Sequence, residues 1–158
     1  MPKLTTIAIT TTGEASVTTL LAGFKAYASI SDENLDGMLK DLLRQAVLKV
    51  QEFADTAIVA TKLKLEARAG RIGRILLYQG GGTVESVTEL DGTTDVAYTA
   101  IGNAAVEVDT LAPLLITYTT TPIVGEVARL TPTVYRYASA LYDGAATDEL
   151  NRILNEVL

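Results

Sequence analysis

From Thr18 the apolar residues Leu20, Phe24, Tyr27 and Ala28 recur at i, i+4, i+7 and i+8, which puts them on one face of a short helix. Ser31 and Asp32 then offer an N-cap, and a longer stripe of helical period follows through Leu35, Met38, Leu39, Leu42, Ala46, Val47, Val50, Phe53 and Ala54. Asp32, Glu33 and Asp36 fall in its first turns, where the free N–H groups favour negative charge; Lys40, Arg44 and Lys49 lie on the opposite face. This stripe is the strongest periodic element of the chain. Ahead of the first helix, Lys3 to Ile9 is rich in β-branched residues and reads as a strand or extended arm ended by Gly13.

After residue 60 the period drops from 3.6 to 2. Leu63 and Leu65 alternate with lysines, Arg74 to Gln79 reads as a buried strand, and Thr83 to Leu90 leads into an Asp91-Gly92 hairpin turn. Asp95 to Ile101 turns at Gly102-Asn103 into Ala104 to Asp109, and Leu114 to Thr120 is rich enough in β-formers to be central. That makes five or six strands. Thr131-Pro132 has the form of an N-cap with proline in the first helical position, ahead of Val134, Ala138, Leu141 and Tyr142. Asp143-Gly144 stops that helix. Thr147 caps the next, which has Asp148 and Glu149 in its first turn and Leu150, Ile153, Leu154, Val157 and Leu158 along one face. The fold class expected is α+β: an N-terminal helical pair with one long amphipathic helix, a central block of short antiparallel strands, and two C-terminal helices. Residues 1–158 read as one domain, divided into an extended arm (1–16), a helical part (17–56), a β-rich part (60–121) and C-terminal helices (126–158).

Composition narrows the function more than the fold. With 48% hydrophobic and 20% charged residues in 158 the chain is globular, and without a basic segment followed by an apolar run it reads as soluble, intracellular and unexported. It has no cysteine and no histidine, so thiolate metal sites, disulfides, thiol nucleophiles and the usual neutral-pH acid–base are absent. No cofactor, metal or catalytic residue is assigned. Gly80-Gly81-Gly82 lacks the Lys-Ser/Thr and helix of a phosphate loop and reads as a flexible loop. Asp91 to Asp95 has the outline of a calcium loop, but Gly102 stands where the bidentate Glu belongs, so it reads as a turn. Tyr135, Tyr137 and Tyr142 lack the cluster of basic residues that base stacking would need and read as packing at a core or subunit interface.

The net charge of −6 divides unevenly along the sequence: residues 1–74 carry ten basic and eight acidic residues, residues 75–158 three and eleven. An acidic chain does not grip nucleic acid by counterion release. Lys62, Lys64, Arg68, Arg71 and Arg74 form a basic band that is either a solvated face or a contact with a neighbouring subunit or DNA. The apolar stripe Leu150, Ile153, Leu154, Val157 and Leu158 implies burial against its own domain or against another protein.

The order of these elements resembles the head-to-tail connector (adaptor) proteins of tailed bacteriophages. Val17 to Ile30 is similar to that family's first helix, with the acidic turn Ser31 to Asn34 and the long helix after it. Arg74 to Tyr78, Val84 to Val87 and Leu114 to Tyr118 resemble its strand block, and Leu130 to Tyr142 its late helix. The chain departs from the family in placing glycines at 80–82, where prolines often stand, and in having no tryptophan. The resemblance implies a structural virion protein and no enzyme. It would form a homo-oligomeric ring of about a dozen copies at the head–tail junction, assembled in the host cytoplasm. Its partners would be the portal and a tail or stopper protein; genomic DNA would pass through without specific binding, and no membrane is involved. The stripe from Leu150 to Leu158 would then dock on the portal or a neighbouring subunit, and the basic band would face a neighbour or the DNA. Two rivals are another ring-forming neck or tail-completion protein, such as a tail terminator, and a small hydrolase working through a carboxylate pair.

Overall fold

The computed structural model describes residues 2–71 and 73–157. The chain folds as two compact units interleaved in sequence: residues 1–10 with 60–121, and residues 11–59 with 122–158. The first unit is all β, the second helical, which agrees with the expected α+β class.

The β unit contains β1 (Lys3–Ile9), β2 (Thr61–Ala67), β3 (Arg74–Leu76), β4 (Gly82–Glu89), β5 (Thr99–Ile101), β6 (Ala105–Glu107) and β7 (Leu114–Thr120). One sheet has the order β1-β2-β7-β4 and the other β3-β6-β5, with every pairing antiparallel. Period-2 alternation decides which face is dry. Leu63 pairs with Tyr118 and Leu65 with Ile116, and all four are buried, while Lys62 and Lys64 opposite Thr119 and Thr117 turn outward. Ile75 and Val106 of the smaller sheet join the same core. Removing each large aliphatic side chain here from water contributes about 1.5–3 kcal/mol.

The strand β4 carries a spacing that simple alternation does not accommodate. Val84 and Val87 are three apart, so a regular strand would turn one of them to solvent. A bulge at Glu85 solves this: Val84 opposes Tyr118, Ser86 opposes Thr117, and Val87 again faces inward opposite Ile116. β1 has the same device, with a register shift between Thr6 and Ala8 that leaves Ile7 as the extra residue. Both bulges lie on the outermost strands of the sheet.

Three strands are shorter than expected, the last of them β6, which keeps only Ala105–Glu107 of the expected Ala104 to Asp109. The chain leaves β3 at Leu76 because Gln79, Gly80 and Gly81 take left-handed backbone (φ +55°, +79° and +75°). Asp95 makes only an isolated bridge to Thr88, and the strand proper starts at Thr99.

The helical unit contains α1 (Thr11–Ala28), a single 3₁₀ turn (Glu33–Leu35), α2 (Asp36–Ala54), α3 (Val124–Tyr142) and α4 (Thr147–Asn155). α1 starts before Thr18 and runs through Gly13, so the extended arm ends at β1. Its threonines and serine look like strand formers. Inside the helix their hydroxyls bond back one turn: Ser16 to the Thr12 carbonyl (3.3 Å), Thr18 to Glu14 (3.1 Å) and Thr19 to Ala15 (3.1 Å). The buried face is Gly13, Val17, Leu21 and Phe24, which leaves Tyr27 exposed.

α2 buries the middle of its expected stripe, while Met38 and Phe53 at the ends are exposed. Asp32 caps the 3₁₀ turn ahead of α2, accepting the Asn34 N–H at 2.9 Å, while α2 itself starts after Leu35 with no side-chain cap. Gln51 is the polar exception on the buried face; its Oε1 accepts the N–H groups of Ile58 (3.1 Å) and Val59 (3.3 Å), satisfying the segment that follows the helix.

α3 begins at Val124, and Pro132 lies inside it instead of opening it. An interior proline costs about 3 kcal/mol. The apolar face that Leu130, Val134 and Ala138 bury across the proline offsets that cost. Thr131 Oγ1 donates to the Val127 carbonyl at 2.6 Å just before the ring. α4 has Thr147 as its first residue, with no side-chain cap, and carries Asp148 and Glu149 in its first turn. Among the described residues no helix is long and apolar enough to cross a membrane.

Candidate interaction surfaces

The basic band does not survive folding as one stripe. Lys62 and Lys64 sit two apart on β2 and share the outer face of the four-stranded sheet. Arg68 lies beyond the end of β2, Arg71 in the following loop, and Arg74 on β3 in the other sheet. Lys62 Nζ pairs with Glu85 at 2.9 Å, and Arg74 with Glu107 at 3.4 Å. The Lys62 ammonium, helped by the Thr119 hydroxyl at 2.9 Å, holds the Glu85 carboxyl below its ordinary range. The pair is about 40% exposed, so water screens it and its worth is at most about 1 kcal/mol. Lys64 forms no ion pair among the described residues. Lys3, Lys62 and Lys64 share this face with Glu66 and Glu85, a balance too even for a phosphate-gripping surface.

The charge halves are also redistributed. The β unit holds six basic and seven acidic residues, net −1, and the helical unit seven and twelve, net −5. Negative charge therefore concentrates on the helices.

On α4, Ile153 and Leu154 are already buried within the helical unit and Leu150 is half-buried, as is Val157 in the turn beyond the helix end at Asn155. Leu158 lies outside the described residues. Arg136 of α3 forks onto both carboxylate oxygens of Glu156, which lowers the Glu156 pKa and raises that of Arg136. Of the three late tyrosines, Tyr135 stacks at 6.0 Å on Phe24 and 5.8 Å on Tyr27, Tyr137 is buried, and Tyr142 is exposed. Gly23 makes room for the first: a Cβ there would stand 2.2 Å from the Tyr135 hydroxyl.

Two of the three acidic residues of the first turn are employed in local structure. Asp32 caps the 3₁₀ turn and Asp36 accepts Lys25 Nζ at 2.6 Å. Among the described residues no three acidic side chains converge as a metal site would require. Asp91 accepts the N–H groups of Thr93 and Thr94, both at 2.9 Å, and the Thr94 hydroxyl; these bonds bring its pKa down to about 2. The loop is a turn closed by its own carboxylate. Gly81 and Gly82 are closely packed and not a loose loop: a Cβ on Gly81 would come within 1.7 Å of the Asn103 carbonyl, and one on Gly82 within 1.9 Å of the Thr119 carbonyl.

Sequence reasoning missed an apolar groove of about 410 Å³ in the helical unit. Leu20 of α1, Ile58 and Val59 after α2, and Pro122, Val124, Val127 and Ala128 at the start of α3 line it, with Ser16 and Thr19 at its side. Val124 is 86% exposed and the adjoining Ile123 58%. The signal was present in the 3–4 spacing of Val124, Val127 and Ala128. Starting the helix at the proline hid it.

No family model matches the chain, and no curated protein matches its sequence. Solved structures do match its fold. A chain in the neck of an empty GTA particle with C6 symmetry superposes with a TM-score of 0.63 at 15% identity, over 98% of this chain and 94% of that one. A chain in the neck of the native GTA particle with C12 symmetry gives 0.60 at 17% identity, over 98% and 94%. A chain in the virion of the native gene transfer agent gives 0.57 at 16% identity, over 97% and 93%. At these identities the likeness is one of fold, and it runs over nearly the whole chain. It agrees with the resemblance to virion connectors drawn from the sequence.

Proposed function

We propose that this chain is a structural subunit of a virion neck: a head-to-tail connector that forms a ring against the portal and extends the DNA channel toward the tail. The observation that carries the reading is the fold shared, over 98% of the chain, with a chain in a neck of C12 symmetry. A ring of about twelve copies follows from applying that symmetry here. The role is one of assembly and not catalysis, in keeping with a chain without histidine or cysteine. The excess of acid on the helical unit suits a part past which DNA slides, since like charge repels phosphates and discourages adhesion.

The test is native mass spectrometry of the purified protein, alone and mixed with the portal of the same particle. The expected result is a closed ring of about twelve copies in at least one condition. A monomer that neither closes nor binds the portal in either condition overturns the proposal.

A further inference from the structure

Three Asp-Gly pairs occur in the chain, Asp36-Gly37, Asp91-Gly92 and Asp143-Gly144. Such a pair carries its own chemistry. The backbone nitrogen of the glycine, uncrowded by any Cβ, attacks the aspartate Cγ; the N–Cγ bond forms, the Cγ–O bond breaks, and the amide proton leaves with the carboxyl hydroxyl as water. Water then opens the succinimide ring at either carbonyl and gives aspartate or isoaspartate. Only water is released and taken up, so the fold decides which pair reacts. The carboxyl must be free to turn, and the backbone around it free to open.

Two of the pairs are held. Asp36 accepts Lys25 Nζ at 2.6 Å, which ties the start of α2 to α1, and its backbone is helical (φ −56°, ψ −41°). Asp91 accepts the N–H groups of Thr93 and Thr94 and the Thr94 hydroxyl, while the Gly92 N–H donates to the Glu89 carbonyl at 3.0 Å. Those bonds also keep Asp91 ionised, with a pKa of about 2, and an ionised carboxylate has no hydroxyl to lose. Asp143 differs. It stands exposed beyond the last turn of α3, and among the described residues its carboxylate takes part in no hydrogen bond or ion pair. The C-terminal end of a helix presents carbonyls and offers a carboxylate no donor. The Gly144 N–H donates to the Leu141 carbonyl at 3.1 Å, in a helix end that opens far more readily than packed core.

We infer that Asp143-Gly144 is a self-modification site of the folded subunit, at which aspartate isomerises to isoaspartate. The product adds one methylene to the main chain between α3 and α4, where the Ala145 N–H to Ala140 carbonyl bond at 2.9 Å closes α3. Ageing there loosens the joint that carries α4. The inference is independent of the neck reading.

The folded full-length chain is held for weeks at body temperature slightly on the acid side of neutral, digested with trypsin, and labelled by an isoaspartyl methyltransferase with a radioactive methyl donor. The three pairs fall on separate peptides, 26–40, 75–129 and 137–152. Only peptides of unchanged mass count, because asparagine routes to isoaspartate lose ammonia and shift the mass. Label is expected to accumulate in 137–152 at least about tenfold faster than in the other two, and the three rates should converge in urea, where no contact selects between them. Asp143→Glu, which keeps the charge but enlarges the ring that must close, should abolish the label in 137–152. Thr94→Val should raise it in 75–129. Equal or faster labelling of 26–40 or 75–129 in the folded native chain overturns the inference. So does an unlabelled 137–152 when the unfolded chain labels all three, or label that persists there in Asp143→Glu.

Discussion

Replacing Tyr118 with phenylalanine isolates the contribution of one hydroxyl to the β unit. Tyr118 is fully buried on β7, and its hydroxyl accepts the Tyr78 N–H and donates to the Tyr78 carbonyl, both at 3.0 Å. Phenylalanine fills the same space, so the apolar burial is kept. The carbonyl keeps a second donor, the Gly81 N–H at 3.1 Å, whereas the Tyr78 N–H loses the hydroxyl acceptor. An unsatisfied buried donor costs about 1–3 kcal/mol, and the partial exposure of Tyr78 places this one in the lower half, about 1–2 kcal/mol. At about 2–4 °C per kcal/mol for a chain of this size, Tm should fall by about 2–8 °C. Urea unfolding should show a lower midpoint with an unchanged slope, because the surface exposed on unfolding is the same. Hydrogen exchange should quicken at the Tyr78 amide, and Tyr98→Phe, at a 38% exposed ring, serves as the neutral control. An unchanged midpoint together with unchanged exchange at Tyr78 would refute the assignment of this hydroxyl as a brace.

Three further outcomes are expected. Gly81→Ala should destabilise by about 3 kcal/mol or more, since the new Cβ meets backbone at a residue of φ +75°; Gly80→Ala, with open space at φ +79°, should cost only about 1 kcal/mol, both read from urea midpoints. Gly23→Ala should cost about 1–3 kcal/mol, and Tyr135→Phe in the same chain should recover part of it, because the clash is with the hydroxyl; a strictly additive double variant would refute the contact. The Asp91 carboxyl should titrate near pH 2 by NMR. Its folded pKa lies below the ordinary 3.8, so the stabilisation it brings is complete above about pH 4 and lost as pH falls through 2; an ordinary pKa would contradict the turn.

What could be read from the sequence followed the regularity of each segment. The α2 stripe and the alternation of β2 and β7 are periodic enough that most of their buried positions were legible directly; the exceptions on α2 are Leu43, buried where the stripe passes through Leu42, and Gln51, which hides as a polar residue satisfying two N–H groups. Segments governed by exceptions were harder. The odd Val84–Val87 spacing makes sense only with a bulge, the threonines of α1 mimic a strand, and Pro132 imitates a helix start while tertiary burial carries the helix past it. Surfaces were least legible. The basic band was contiguous in sequence, but a strand end and a change of sheet divide it, and the groove draws on residues more than a hundred positions apart.

The interleaving of the two units has a consequence for how the chain comes off a ribosome. β1 is made first, yet its partner β2 begins only after all of α1 and α2 has been synthesised, and α2 waits through the whole β unit for α3. Neither unit can be completed before residue 114, where β7 opens and joins β2 to β4. The nascent chain therefore remains incomplete in both units until late in translation. Cutting the chain at the boundary near residue 60 would yield two fragments, each holding part of both units, and not two independent domains.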